Sequence, residues 1–270
     1  MRAGAALLVL VLVLVGGCSS GDPEPDAPAS SAPRSSPSST PVEPTDPAPE
    51  RPLAGRVVVL DPGHQLGNRN FPDEVNRLVP SGGTRKPCNT TGTATDAGYP
   101  EATLTWAVSR RVARGLEALG ARVVLTRDRN SERAWGPCVD ARGRAGNSGA
   151  DLKLSIHADG SYDVDAHGFH VITPPDRAPW TDDIAASSRR FALVVRRALR
   201  EAGFAYATYV GGDGLDVRSD LGTLNLSDVP TVMVELGNMR SPVDARVMTS
   251  ASGRARYAEA LVAAVRGYLG

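Results

Sequence analysis

A short apolar strand that ends in Asp61-Pro62-Gly63-His64 constrains the fold of this chain more than any other feature. Residues 57–60 are Val-Val-Val-Leu, and a β-branched run bounded by turn formers predicts a buried strand. Pro62 and Gly63 end the strand, so we expect His64 at the rim of a sheet. Ligands of open α/β sheets bind at that rim. A merely structural histidine is the alternative, unless later segments supply partners.

Strands and helices alternate after this first strand, which predicts an α/β fold with a sheet covered on both faces. Apolar residues recur at helical spacing over residues 101–119, directly behind Pro100. The other expected elements are strands at residues 122–126, 151–157, 168–173 and 231–237, and helices at residues 140–147, 182–201 and 254–269.

Three further polar residues stand where the expected elements begin or end. His157 closes the third strand, Glu235 lies near the end of the last strand, and Glu101 opens the helix over residues 101–119. The helix dipole alone is a sufficient reason for Glu101. A glutamate that closes an apolar strand, as Glu235 does, is hard to explain by packing, because charges are rarely buried without a partner. Two imidazoles and one carboxylate form a catalytic zinc set, and the remaining carboxylate could transfer protons.

The residues around these four side chains resemble a known family. The resemblance extends from residue 57 to the C-terminal helix and points to the zinc-dependent N-acetylmuramoyl-L-alanine amidases of the type 3 family. It rests on four segments: Asp61-Pro62-Gly63-His64, Glu101 opening a helix, Ser155-Ile156-His157-Ala158 and Val234-Glu235-Leu236-Gly237.

The resemblance implies a mixed, roughly six-stranded sheet flanked by helices on both faces, in a single catalytic domain. It implies that His64, Glu101 and His157 hold Zn²⁺ and that Glu235 is the catalytic glutamate. The implied reaction cuts the amide between the lactyl group of N-acetylmuramic acid and the L-alanine of the stem peptide. Peptidoglycan or its muropeptide fragments would be the substrate.

The sequence departs from the family pattern around the substrate. Asp159 stands where the family usually has asparagine, and Asn238-Met239-Arg240 replaces the usual aromatic and aliphatic residues. These changes affect expected substrate contacts more than the metal. Arg218, in the loop before the last strand, is expected to bind a stem-peptide carboxylate as a bidentate pair, with a solvated arginine as the alternative.

Two other functions remain open at this stage. One is a different zinc peptidase of the cell wall, and the other is an inactive amidase-like protein that binds wall fragments or a partner. Lys plus Arg and Asp plus Glu are equal at 30 each, so charge offers no argument for nucleic-acid binding.

The N-terminal region predicts export. Arg2, the apolar run at residues 5–15 and Gly16-Gly17-Cys18 resemble a lipoprotein-type signal over residues 1–18, with Cys18 as the lipidated residue. An ordinary cleaved signal is the alternative, and the run is too short for a membrane-spanning helix. Residues 19–52 are rich in proline and serine and predict a disordered tether to a catalytic domain at 53–270. We expect an envelope or periplasmic protein with a lipid anchor in the membrane.

Two cysteines remain once Cys18 is assigned to the lipid. Cys88 and Cys138 form an isolated pair in a protein expected to be exported, and this favours a disulfide. Metal binding is the competing use, but the expected zinc set is already complete and the chain has no Cys-x-x-Cys spacing. The cross-link would fasten the long loop at 65–100, and with it Glu101, to the domain.

Overall fold

The computed structural model describes residues 50–270, where strands and helices alternate. The expected signal at 1–18, with Cys18, and nearly all of the expected tether at 19–52 lie outside the described residues. The strands are β1 (Val57–Pro62), β2 (Leu78–Pro80), β3 (Arg85–Pro87), β4 (Arg122–Leu125), β5 (Leu152–Asp159), β6 (His170–Thr173), β7 (Leu215–Val217) and β8 (Thr231–Asn238). The helices are α1 (Pro72–Asn76), α2 (Glu101–Ala118), α3 (Val139–Arg144), α4 (Ala185–Glu201), α5 (Gly222–Asn225), α6 (Pro242–Thr249) and α7 (Ala251–Leu269).

Six of the strands form one mixed sheet in the order β4-β1-β5-β8-β6-β7. The β1, β4, β5 and β8 strands are parallel, whereas β6 runs antiparallel to β8. The expected α/β domain with a mixed six-stranded sheet is therefore confirmed. A separate hairpin pairs β2 with β3.

The two faces of the sheet are covered unequally. The three long helices α2, α4 and α7 pack over one face, against the even-numbered apolar residues of the central strands such as Leu60, Leu154 and Val234. The short helices α3 and α5 cover part of the other face, where Met233 contacts Leu224. Because side chains alternate along a strand, the odd-numbered polar residues lie on this thinly covered face.

Several element boundaries differ from expectation. The helix expected from 182 begins at Ala185, and the helix expected over 140–147 ends at Arg144, before Gly146 adopts φ +94°. The last helix begins at Ala251 rather than 254, because the Ser250 hydroxyl accepts a hydrogen bond from the Gly253 N–H. Among residues 50–270, no helix combines the length and apolar character needed to span a bilayer.

Candidate metal centre and cleft

Three side chains meet at the carboxyl edge of the sheet. Each of His64, Glu101 and His157 offers one ligand atom, and these atoms lie within 4.8 Å of one another. Glu101 stands between the imidazoles, with Oε2 3.1 Å from His64 Nε2 and Oε1 3.0 Å from His157 Nδ1. The three residues expected to hold a metal are thus brought together from β1, α2 and β5.

The backbone after β1 aims His64 at this centre. His64 has φ +56°, a left-handed conformation that a non-glycine residue adopts only where its surroundings enforce it. Its carbonyl accepts a 2.7 Å hydrogen bond from Arg142, and its Nδ1 lies 3.1 Å from the Thr90 carbonyl oxygen. Gly63 is required beside it, since a Cβ there would come within 2.5 Å of the His157 ring.

Glu101 is the first residue of α2 and is held by backbone donors from two loops. Its Oε2 accepts from the Thr93 N–H at 3.0 Å and its Oε1 from the Ala158 N–H at 3.1 Å. Burial opposes ionisation of Glu101, but the charge and hydrogen bonds of the two imidazoles prevail and place its pKa well below the usual value. The centre therefore contains a fixed carboxylate.

This donor set fits a divalent metal ion. His64 Nδ1 lies 3.1 Å from both the carbonyl oxygen and the hydroxyl of Thr90. In the neutral tautomer that donates from Nδ1 to this carbonyl, Nε2 carries a lone pair and faces the Glu101 carboxylate at 3.1 Å. Two such acceptors repel each other unless a cation lies between them. Two imidazole nitrogens and a carboxylate oxygen suit zinc in particular and leave one coordination position for water.

Glu235 faces the same centre from the neighbouring strand. It is the direct register partner of His157 across β5 and β8, and only 8% of its surface is exposed. Its Oε2 is buried and has no hydrogen-bond partner among the described residues. Burial, together with the charges of Asp159 and Glu101, raises the pKa of Glu235 well above its usual value. An acidic group with a raised pKa beside a metal site is suited to proton transfer.

A buried ion pair beneath the centre was not identified from the sequence. Asp61 is fully buried and accepts 2.6 Å hydrogen bonds from Arg142 and Thr126 and a 2.7 Å bond from Ser155. Arg142 also donates to the carbonyls of Pro62 and His64. The charged Asp61 directly after four apolar residues was the available signal, because a carboxylate in a buried strand requires a partner. Its partner lies 81 residues away, beyond the reach of any local pattern.

The cleft above the centre has a volume of about 360 Å³ and contains Arg218. The Arg218 guanidinium is already engaged, since Nε and Nη2 each donate to Asp220 at 2.9 Å. Lys86, from the β2–β3 hairpin, donates to the same carboxylate at 2.8 Å. The structure therefore places Arg218 in the cleft, within an ion-pair cluster with Lys86 and Asp220.

The expected pairing of the two domain cysteines is present as a disulfide. Cys88 and Cys138 are bonded with their Cα atoms 4.2 Å apart. The Val139 N–H also donates to the Cys88 carbonyl at 2.7 Å. The covalent ring contains Glu101, and Thr90, which contacts His64, follows Cys88 by two residues.

The chain is similar in sequence and structure to known amidases. A family profile described as N-acetylmuramoyl-L-alanine amidase matches residues 58–267. An N-acetylmuramoyl-L-alanine amidase of Mycobacterium tuberculosis is 43% identical over 221 residues, covering 80% of this chain and 88% of that protein. The crystal structure of an N-acetylmuramyl-L-alanine amidase from Mycobacterium smegmatis is 43% identical with a TM-score of 0.75, covering 81% of this chain and 98% of that one. The apo structure of the corresponding amidase from Mycobacterium abscessus is 44% identical with a TM-score of 0.74. The match covers 81% of this chain and 100% of that one.

Proposed function

We propose, from the premise that this chain belongs to the N-acetylmuramoyl-L-alanine amidase family, that it hydrolyses peptidoglycan with Zn²⁺ held by His64, Glu101 and His157. The bond cut is the amide between the lactyl group of N-acetylmuramic acid and L-alanine. Bound zinc would supply Lewis acidity at the scissile carbonyl and lower the pKa of water in the site.

Glu235 carries the proton in this proposal. It accepts a proton from the attacking water and delivers it to the nitrogen of the leaving L-alanine, so one residue serves as base and then acid. The observation that supports this role is the unpartnered, buried Oε2 of Glu235 beside His157. A structural glutamate at that depth would have a hydrogen-bond partner.

Digestion of purified peptidoglycan with mass analysis of the products tests the reaction. Intact stem peptides with a free L-alanine amine support the amidase. Cut stem peptides would instead support a cell-wall peptidase, and unchanged muropeptides would support an inactive binding protein.

Two sets of variants test the residue roles. Glu235→Gln should keep its zinc but lose about 10²- to 10⁴-fold in turnover, since an amide cannot accept the proton. Glu259→Gln, an exposed glutamate on α7, is the matched control and should retain activity. His64→Ala and His157→Ala should each lose most of their zinc, measured by metal analysis of the purified protein. Full zinc content in both histidine variants would refute the ligand assignment.

A cell-wall amidase acts in the envelope or outside the cell, and the N-terminal region suggests how it is held there. We propose that residues 1–18 are a lipoprotein-type signal, that Cys18 is lipidated, and that residues 19–52 tether the catalytic domain to the membrane. Mass analysis of the exported protein should find a diacylglyceryl-modified Cys18. If the wild-type protein carries no lipid on Cys18 and is released from membranes, the proposed anchor is wrong.

A further inference from the structure

A second groove lies beside the metal cleft. It has a volume of about 490 Å³ and shares Gly92, Thr93 and Gly160 with the metal cleft. Tyr162 and Arg240 lie along its far part. The two depressions are therefore neighbours, with the segments of Gly92, Thr93 and Gly160 between them.

Glycines allow the segments between the two grooves to pack closely. A Cβ at Gly92 would lie 2.8 Å from Glu101 Oε2 and from the His64 ring. A Cβ at Gly160 would collide with the Thr93 side chain. The second groove therefore lies directly beside the metal centre.

An exposed but fixed aromatic ring stands in the second groove. Tyr162 is 80% exposed, and the Arg240 guanidinium lies 4.7 Å from its ring centroid. Arg240 Nη2 donates to the Tyr162 hydroxyl at 3.2 Å, and Nη1 donates to Asp96 at 2.9 Å. Asn238 secures the same loop by donating to the Ser161 carbonyl at 3.0 Å. An exposed aromatic side chain that is immobilised in this way can bind a ligand at low entropic cost.

The two grooves differ in chemistry. The metal cleft contains the charged groups Lys86, Arg218 and Asp220, which pair with one another. The second groove presents the Tyr162 ring and the donors of Arg240. The scissile amide of a muramoyl peptide likewise joins a peptide arm to a sugar arm, and the sugar arm has apolar ring faces and acetamido carbonyls.

We infer that the groove of Tyr162 and Arg240 binds the glycan strand of peptidoglycan, beyond the muramoyl residue whose lactyl amide is cut. The inference rests on the proposed function. The tyrosine ring packs against the face of a sugar, and the arginine donates to an acetamido or hydroxyl oxygen. Arg240 is one of the residues at which this chain departs from the family pattern. The proposed contact between Arg240 and the glycan is therefore a departure from that pattern as well.

Kinetics on two substrates test the inference. One is peptidoglycan with long glycan strands, and the other is a muramoyl peptide that carries a single sugar and ends at the metal cleft. Tyr162→Ala and Arg240→Gln should each lower the ratio of kcat/KM on the polymer to kcat/KM on the fragment by about tenfold, the effect of losing one well-placed contact. Val164→Ala, at a 92% exposed position on the same loop and outside the groove, is the control and should leave the ratio unchanged.

Direct binding provides a second readout that does not depend on turnover. Full-length Glu235→Gln, loaded with zinc, should bind peptide-free glycan strands, and the double variant Glu235→Gln/Tyr162→Ala should bind them about tenfold more weakly in calorimetry. Equal zinc content in both proteins excludes an effect through the metal. An unchanged polymer-to-fragment ratio, or equal binding by both proteins, would overturn the glycan site. Failure of the proposed function is distinguishable, because the wild type would then cleave neither substrate at the lactyl amide.

Discussion

Replacing Arg142 with methionine should lower the free energy of unfolding by about 3–5 kcal/mol, the usual cost of leaving one member of a buried ion pair alone. Arg142 is 3% exposed and its partner Asp61 is fully buried. Methionine fills similar space but donates no hydrogen bond, so Asp61 loses a 2.6 Å bond and the His64 carbonyl loses its arginine donor. The Pro62 carbonyl loses Arg142 as a donor but still accepts from Arg127. Because domains of this kind are stable by about 5–15 kcal/mol, the loss is large but survivable.

The pH dependence of this variant has a defined sign. In the wild type, burial alone would raise the pKa of Asp61, but Arg142, Thr126 and Ser155 hold it well below its usual value. Such a carboxyl stabilises the fold above its unfolded pKa of about 4, and this stabilisation is lost as the pH falls through the folded pKa. Without Arg142, the largest influence that lowers this pKa is gone and the folded pKa rises. The difference in stability between the wild type and the variant should therefore shrink as the pH falls toward and below the unfolded pKa of about 4.

Urea unfolding followed by tryptophan fluorescence measures both effects. A double-mutant cycle with Asp61→Asn should give a coupling energy of about 2 kcal/mol or more, because the contact between Arg142 and Asp61 can be lost only once. Arg144→Met is the control: Arg144 is exposed and pairs with Asp140 one turn away, so its loss should cost less than about 1 kcal/mol. A loss below about 1 kcal/mol for Arg142→Met, or an additive cycle, would refute the reasoning.

Two further predictions concern the support of the metal centre. Gly63→Ala should displace the His157 ring and lower zinc content, whereas Gly267→Ala, whose Cβ would meet only one atom at 3.9 Å, should keep zinc and full stability; equal zinc in both variants would contradict the steric argument. Reduction of Cys88–Cys138 should remove about 4 kcal/mol of stability for a ring of 50 residues, seen as a lower melting temperature with zinc largely retained; an unchanged melting temperature would contradict it.

The sequence predicted the long elements of the fold because their periodicity is strong. The buried strands β1, β5 and β8 and the helices α2 and α7 each present a clear apolar pattern. The site residues lie at or near the ends of the three strands and at the start of α2. The β2–β3 hairpin was not predicted, since its strands have three residues each and show no alternation. Its conformation is set by tertiary contacts such as the hydrogen bond from Arg177 to the Gly82 carbonyl.

One missed helix did have a local signal. Helix α6 is preceded by Ser241, whose hydroxyl accepts from the Asp244 N–H, and it begins with Pro242. A serine cap followed by proline is typical of a helix start, so this element could have been read from the sequence. Arg142 had no comparable signal, because its importance depends on carbonyls that approach it only in the folded chain.

The order of strands in the sheet has a consequence for folding. His64 follows β1 and His157 lies in β5, so the two imidazoles meet only after strands about 90 residues apart in the chain have paired. Such long-range pairing is slow, and a metal ion has no complete set of ligands in the unfolded chain. Zinc held by these residues would therefore stabilise the native state alone. We expect a chelator to accelerate unfolding while leaving the refolding rate unchanged.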